Sequence, residues 1–362
     1  MSVDATIRSE VRVLVVDDSA FMRAALSRMV NSESGFEVVG TACSGSEALA
    51  KIASLDPDVV TLDVQMPGLD GLETLRRIMS QFPRPVIMVS ATTERDADAT
   101  FTALGAGAFD YVPKQMSATS LDIFHIREDL IAKIRAAAQS QKPHLPPSGK
   151  KAPVSSSSRK LGDILAATPV IIAVGASTGG PKALQEVLPL LPGDLAVPVL
   201  IVQHMPAGFT APFAQRLDGL CRVKVREAVD NDRIEPGVVY IAPAGMHMTV
   251  LRTGDSCTNI SLDPQPASHL HIPSVDIMMK SVARNFRNLA MGVILTGMGC
   301  DGAEGMKAIY REGGLTIGQD EASCTVYGMP RACAELGVLS RVVPLSQVSA
   351  QILEATRYRR RA

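Results

Sequence analysis

The sequence predicts an α/β protein built on two doubly wound parallel sheets, the second carrying an antiparallel insertion. Two observations carry this: short apolar, β-branched runs alternate with helix-period segments in two separate series, and a stretch with almost nothing to bury divides them. The first series has runs at 11–16, 36–39, 59–62, 86–89 and 109–112, and a helical pattern over 121–138 closes it. Residues 141–160, QKPHLPPSGKKAPVSSSSRK, combine prolines that stiffen with serines that stay flexible, the composition of a tether. The second series restarts near Pro169, with runs at 170–174, 197–202 and 291–295. Between the last two runs, residues 222–262 break into short pieces such as VVYIAP and HMTVL, separated by Pro-Gly and Gly-Asp turns, and are expected to form the antiparallel insertion. The expected boundaries are a first domain at 10–138, a linker at 139–164 and a second domain at 165–355, consistent with 362 residues being long for one core.

Composition excludes some functions. With 36 basic against 37 acidic residues the chain has no field of one sign to hold nucleic acid or a membrane surface, and the basic end RYRRR reads as a solvated terminus. Six cysteines show no C-x-x-C pair, which fits free thiols in a reducing compartment. The start MSVDATIRSE lacks a signal-peptide core and the longest apolar runs are of strand length, so a cytoplasmic protein without membrane insertion is expected. His269 and His271 have no Cys or carboxylate at ligand spacing, so they are read as a loop and no zinc is expected.

In the first series the strand ends carry the chemistry. Strand one ends in Asp17-Asp18 and strand three in Asp63, so the carboxylates emerge at the edge where such sheets bind ligands. Close carboxylates repel one another, and Mg²⁺ is the hard cation that such an oxygen set accepts. Ser90 ends strand four and Lys114 ends strand five, bringing a hydroxyl and an ammonium to the same rim. Together these groups suit a phosphoryl transfer in which a carboxylate attacks phosphorus and becomes an acyl phosphate. Singly, Asp17 and Asp18 can cap a helix and Lys114 can be a turn residue.

The second series repeats the device with other groups. After VIIAVG, the string Gly175-Ala176-Ser177-Thr178-Gly179-Gly180 satisfies G-x-S-x-G at a strand-to-helix turn, which exposes a hydroxyl and aims main-chain N–H groups at one spot; phosphate-binding turns share the pattern. The next strand ends in His204 and the one near the C-terminus leads to Asp301, so a serine, a base and a carboxylate share a sheet edge. Alone, His204 can be structural and Asp301 a helix cap; Asp276 reads as a first-turn helix residue and Asp320 as a second candidate support. The chain order Ser, His, Asp differs from that of the α/β-hydrolases.

The motifs VLVVDDS, LDVQMPGLDGLE, VSAT and DYVPK closely resemble the receiver domain of two-component response regulators, a flavodoxin-like fold. That resemblance implies that Asp63 is the phosphoacceptor, that Asp17 and Asp18 help hold Mg²⁺, that Ser90 and Lys114 contact the phosphoryl group and that Tyr111 reorients on activation. Gln65 and Gln115 depart from the usual residues, and Gln115, where Pro is usual, puts the cis peptide often found there in doubt. GASTGG, QHMP, IAPAGMH, PSVD, LTGMGCDG and QDEASCTVYGMPRACAE resemble the chemotaxis-type protein-glutamate methylesterases, the CheB family, whose catalytic domain is Rossmann-like. The resemblance implies a Ser177-His204-Asp301 triad that hydrolyses glutamyl methyl esters, and often deamidates glutamines, on the cytoplasmic helices of chemoreceptors. It also implies a CheA-type histidine kinase as phosphodonor, activation by phosphorylation and no cofactor for the hydrolase. The N–H groups of Thr178 and Met298 are the oxyanion candidates. A phosphorylation-controlled adaptor with an inactive second domain is the rival reading; a transcriptional regulator is disfavoured because no basic recognition helix follows the linker.

Overall fold

Strands β1 (Val11–Val16), β2 (Phe36–Ala42), β3 (Val59–Asp63), β4 (Val86–Ser90) and β5 (Asp110–Pro113) alternate with helices α1 (Ala20–Asn31), α2 (Gly45–Leu55), α3 (Gly71–Gln81), α4 (Glu94–Gly105) and α5 (Ser120–Ser140). They form a parallel sheet of order β2-β1-β3-β4-β5. The computed structural model describes residues 10–90, 94–114, 120–140, 167–253, 257–267 and 269–357, in two compact units divided after Leu145. Gln115 lies outside the described residues. Every residue of β3 and β4 is buried, as expected for strands covered on both faces. Ser19, Ser44 and Asp70 start α1, α2 and α3 by accepting from the main-chain N–H groups of Met22, Glu47 and Glu73. The strand order reverses at β1 and β3, and there Asp17 and Asp63 leave the sheet.

The second unit has a seven-stranded parallel sheet of order β14-β13-β12-β6-β7-β9-β8. Its central strands are β6 (Ile171–Ala176), β7 (Val199–Gln203) and β12 (Ala290–Ile294). Outward lie β13 (Leu315–Gln319) and β14 (Arg341–Val343) on one side, and β9 (Val238–Ile241) and β8 (Lys224–Glu227) on the other. The helices that bear on the site are α6 (Gly180–Val187), α7 (Thr210–Leu220), α8 (Val275–Phe286), α9 (Ala303–Arg311), α10 (Met329–Glu335) and α11 (Leu345–Arg357). The antiparallel insertion is narrower than the sequence suggests: among the described strands, β10 (His247–Thr253) and β11 (Cys257–Asp263) pair antiparallel, accompanied by a single antiparallel bridge between Arg233 and Asn259. The VVYI run is β9, a parallel strand paired with β7 and β8. Its Pro-Gly turn looks like a hairpin signal, but the 228–237 loop carries the chain back to the same end of the sheet.

Glycine is required where α3 turns back over the end of β3. A Cβ on Gly71 would sit 2.0 Å from the carbonyl oxygen of Asp63 and 2.8 Å from that of Val64, both main chain and unable to swing aside. Gly71→Ala is therefore expected to destabilise the first unit by about 1–3 kcal/mol, read as a lower urea midpoint for that unit's transition in the full chain, with the second unit's transition unchanged.

Candidate functional site

The ladder of the second unit sets Ser177 and His204 at neighbouring strand ends. Ala176 is in register with Gln203, so the next residues, Ser177 and His204, leave adjacent strands side by side, and the His204 N–H donates to the Ala176 carbonyl at 3.1 Å. On the other flank β12 pairs with β6, and the Ser177 N–H donates to the Thr296 carbonyl at 3.1 Å. The loop after β12 then reaches Asp301, whose Oδ2 accepts from His204 Nε2 at 2.9 Å. His204 Nδ1 is buried and has no hydrogen-bond partner among the described residues.

Asp301 is held by a helix start. Its Oδ2 also accepts from the Val275 N–H at 2.7 Å, and its Oδ1 from the Asp276 N–H at 3.0 Å and the Ser274 hydroxyl at 2.9 Å. Burial works to raise the Asp301 pKa, but the His204 hydrogen bond and charge and the N–H groups of Asp276 and Val275 outweigh it and hold the carboxyl well below the usual carboxylate range. The exchange is reciprocal, since Asp276 Oδ1 accepts from the N–H groups of Gly302 and Gly305 at the start of α9, at 3.0 and 2.7 Å. Thr178 is anchored by its carbonyl, which accepts from Thr296 Oγ1 at 3.0 Å. Among the described residues the N–H groups of Thr178 and Met298 have no acceptor. Asp320 is elsewhere, its Oδ1 accepting from the N–H and hydroxyl of Ser323.

In the first unit Asp17, Asp18 and Asp63 each offer a carboxylate oxygen within 4.8 Å of the others'. Lys114 Nζ lies 2.6 Å from Asp63 Oδ2 and 3.0 Å from Asp17 Oδ2. Burial, with repulsion from Asp17, pushes the Asp63 carboxyl up to about 6 in spite of Lys114 and the Gln65 N–H. Three converging hard oxygens that one ammonium only partly neutralises form a donor set that fits a divalent oxygen-seeking cation. The Thr100 hydroxyl donates to Ser90 Oγ at 2.7 Å. Tyr111 is buried, edge-on to Phe101 at 6.4 Å between centroids, with Lys133 Nζ 5.3 Å from its ring centroid.

The CheB methylesterase family model matches residues 172–352, and the response regulator receiver domain model matches 13–123. A protein-glutamate methylesterase/protein-glutamine glutaminase of Oleidesulfovibrio alaskensis is 43% identical over 367 residues, covering 95% of this chain and 99% of the relative. One from Halalkalibacterium halodurans is 45% identical over 345 residues, covering 95% and 98%. The chain belongs to the CheB methylesterase family. Among solved structures, the Thermotoga maritima CheB methylesterase catalytic domain superposes with a TM-score of 0.50 at 35% identity, covering 52% of this chain and 99% of that one.

This CheB chain holds one pairing that the motifs do not announce. The His271 ring stacks on the His204 ring with centroids 4.1 Å apart and planes 23° from parallel, and His269 sits edge-on to His247 at 5.5 Å. The H-x-H spacing, read above as a loop, puts one imidazole over His204; its sequence signal is that both histidines shortly precede the PSVD helix start. For the acidic cluster the pKa gives a test. At pH 6 Asp63 is about half protonated, and a cation needs the anion, so adding Mg²⁺ to the unbuffered protein should release about half a proton per chain. Release should vanish by pH 8, where Asp63 is already ionised, and in Asp63→Asn.

Proposed function

We propose that this chain is a phosphorylation-activated hydrolase of glutamyl methyl esters, and a deamidase of particular glutamines, acting on the cytoplasmic domain of methyl-accepting chemoreceptors. The observation that carries the reading is the His204 Nε2 to Asp301 Oδ2 bond beside the Ser177 turn, in a chain whose relatives are named protein-glutamate methylesterase/protein-glutamine glutaminase. With its Nε2–H donated to Asp301, neutral His204 keeps the Nδ1 lone pair for the Ser177 hydroxyl proton. Ser177 Oγ attacks the acyl carbon, and the N–H groups of Thr178 and Met298 receive the oxyanion. His204 returns the proton to the departing methanol or ammonia, and water, deprotonated by the same nitrogen, then frees the glutamate and restores Ser177.

In the receiver, Asp63 takes the phosphoryl group from a CheA-type histidine kinase. Asp17, Asp18 and Asp63 would hold Mg²⁺, which when bound would offset the charge on the phosphoryl oxygens. Lys114 and Ser90 contact the transferred group, and Tyr111 changes its packing as the switch. The protein works in the cytoplasm; no helix among the described residues is long and apolar enough to cross a membrane.

Mass spectrometry of receptor peptides before and after incubation with the full chain and an acyl phosphate donor tests the reading, scoring loss of methyl groups and glutamine-to-glutamate conversion. Ser177→Ala should bring both to background, a loss of roughly 10⁶-fold in turnover, and Asp63→Asn should abolish the gain from the donor while sparing basal turnover. Demethylation that survives Ser177→Ala would remove the nucleophile assignment.

A further inference from the structure

We propose that Gln203 is a positioning residue of the hydrolase site, one buried carboxamide that aims an oxyanion donor by gripping the peptides of the nucleophile and the base together. The proposal rests on the esterase reading above. Gln203 is the last residue of β7 and is 1% exposed. Its Nε2 donates to the Ser177 carbonyl at 2.9 Å and to the His204 carbonyl at 3.0 Å. Each amide hydrogen thus has one acceptor, and the two acceptors belong to the two residues that exchange the proton.

A planar trans peptide converts that grip into chemistry. The Ser177 carbonyl, which also accepts from the Gly180 N–H at 2.8 Å, and the Thr178 N–H belong to one rigid unit and point in opposite directions, so fixing the oxygen fixes the N–H. The Thr178 carbonyl on the following peptide is held separately by Thr296 Oγ1, at 3.0 Å. The Thr178 N–H, which has no acceptor among the described residues, is therefore oriented before any oxyanion forms.

The other end of the amide argues that the donors are what matters. Gln203 Oε1 is buried and has no hydrogen-bond partner among the described residues, a destabilising state that an apolar side chain of the same size would avoid. The glutamine that ends β13 makes the contrast: Gln319 Oε1 accepts from the Thr296 N–H at 2.8 Å and its Nε2 donates to the Ser323 carbonyl at 2.8 Å, so both ends are paired. The slot for the unpaired oxygen is made by Gly180, where a Cβ would lie 2.0 Å from Gln203 Oε1. The second glycine of GASTGG thus leaves room for the Gln203 amide.

Steady-state kinetics of the full chain, with an acyl phosphate donor and a methylated receptor fragment, test this, alongside Ser177→Ala and thermal unfolding of each variant. Gln203→Met fills the slot without donors and should lower kcat about 10²-fold with KM within threefold, at temperatures where the variant is folded. Gln203→Glu, whose carboxylate faces two carbonyls, should do no better. Gly180→Ala should push the amide off its acceptors and reproduce the loss, and the Gly180→Ala/Gln203→Met double variant should be no slower than the slower single one. A Gln203→Met kcat within threefold of wild type, a loss in KM alone, or additive losses in the double variant would overturn the proposal. Absent wild-type activity, or activity that survives Ser177→Ala, would overturn the esterase reading and this inference with it.

Discussion

The candidate hydrolase site depends on a half-buried carboxylate, Asp301, that stays ionised. Asp301 can do so because the start of α8 meets it with two main-chain N–H groups and the Ser274 hydroxyl, leaving the fourth contact for His204. An anion so fully engaged has little freedom to rotate, so it holds the imidazole by Nε2 and leaves Nδ1 as the nitrogen that the proposed mechanism gives to Ser177. Asp276 extends the same logic by capping α9, the helix that follows Asp301, so each helix supplies the carboxylate that steadies the other.

The two units solve opposite charge problems with one layout. In each, residues that leave the carboxyl ends of neighbouring parallel strands converge at a rim, Asp17, Asp63 and Lys114 in one, and Ser177, His204 and Asp301 in the other. The receiver gathers like charges and leaves Asp63 with a raised pKa, a state that a cation or a phosphoryl group resolves. The second unit's site instead lowers the pKa of its carboxylate, Asp301.

Strand ends were legible because parallel strands announce themselves as apolar runs, and the residue after each run is placed by topology alone. Asp63 and Ser177 are found that way. Contacts between distant segments leave no such periodic trace. The His271 ring reaches His204 from 67 positions along the chain, and Gln203 sits at the end of an apolar run where nothing marks its amide as buried. The misread of β9 has a related cause, since short turns suggest hairpins and only the path of the 228–237 loop decides the strand's direction.

The most direct measurement is the turnover of Asp301→Asn on a methylated receptor fragment. An asparagine amide would turn an N–H₂ group toward the donors of α8 or toward His204, so one contact is lost and the base is released in the wrong tautomer. The expected result is a kcat lower by about 10⁴-fold with the fold retained; a loss smaller than tenfold would contradict the assignment of Asp301 as the group that orients His204.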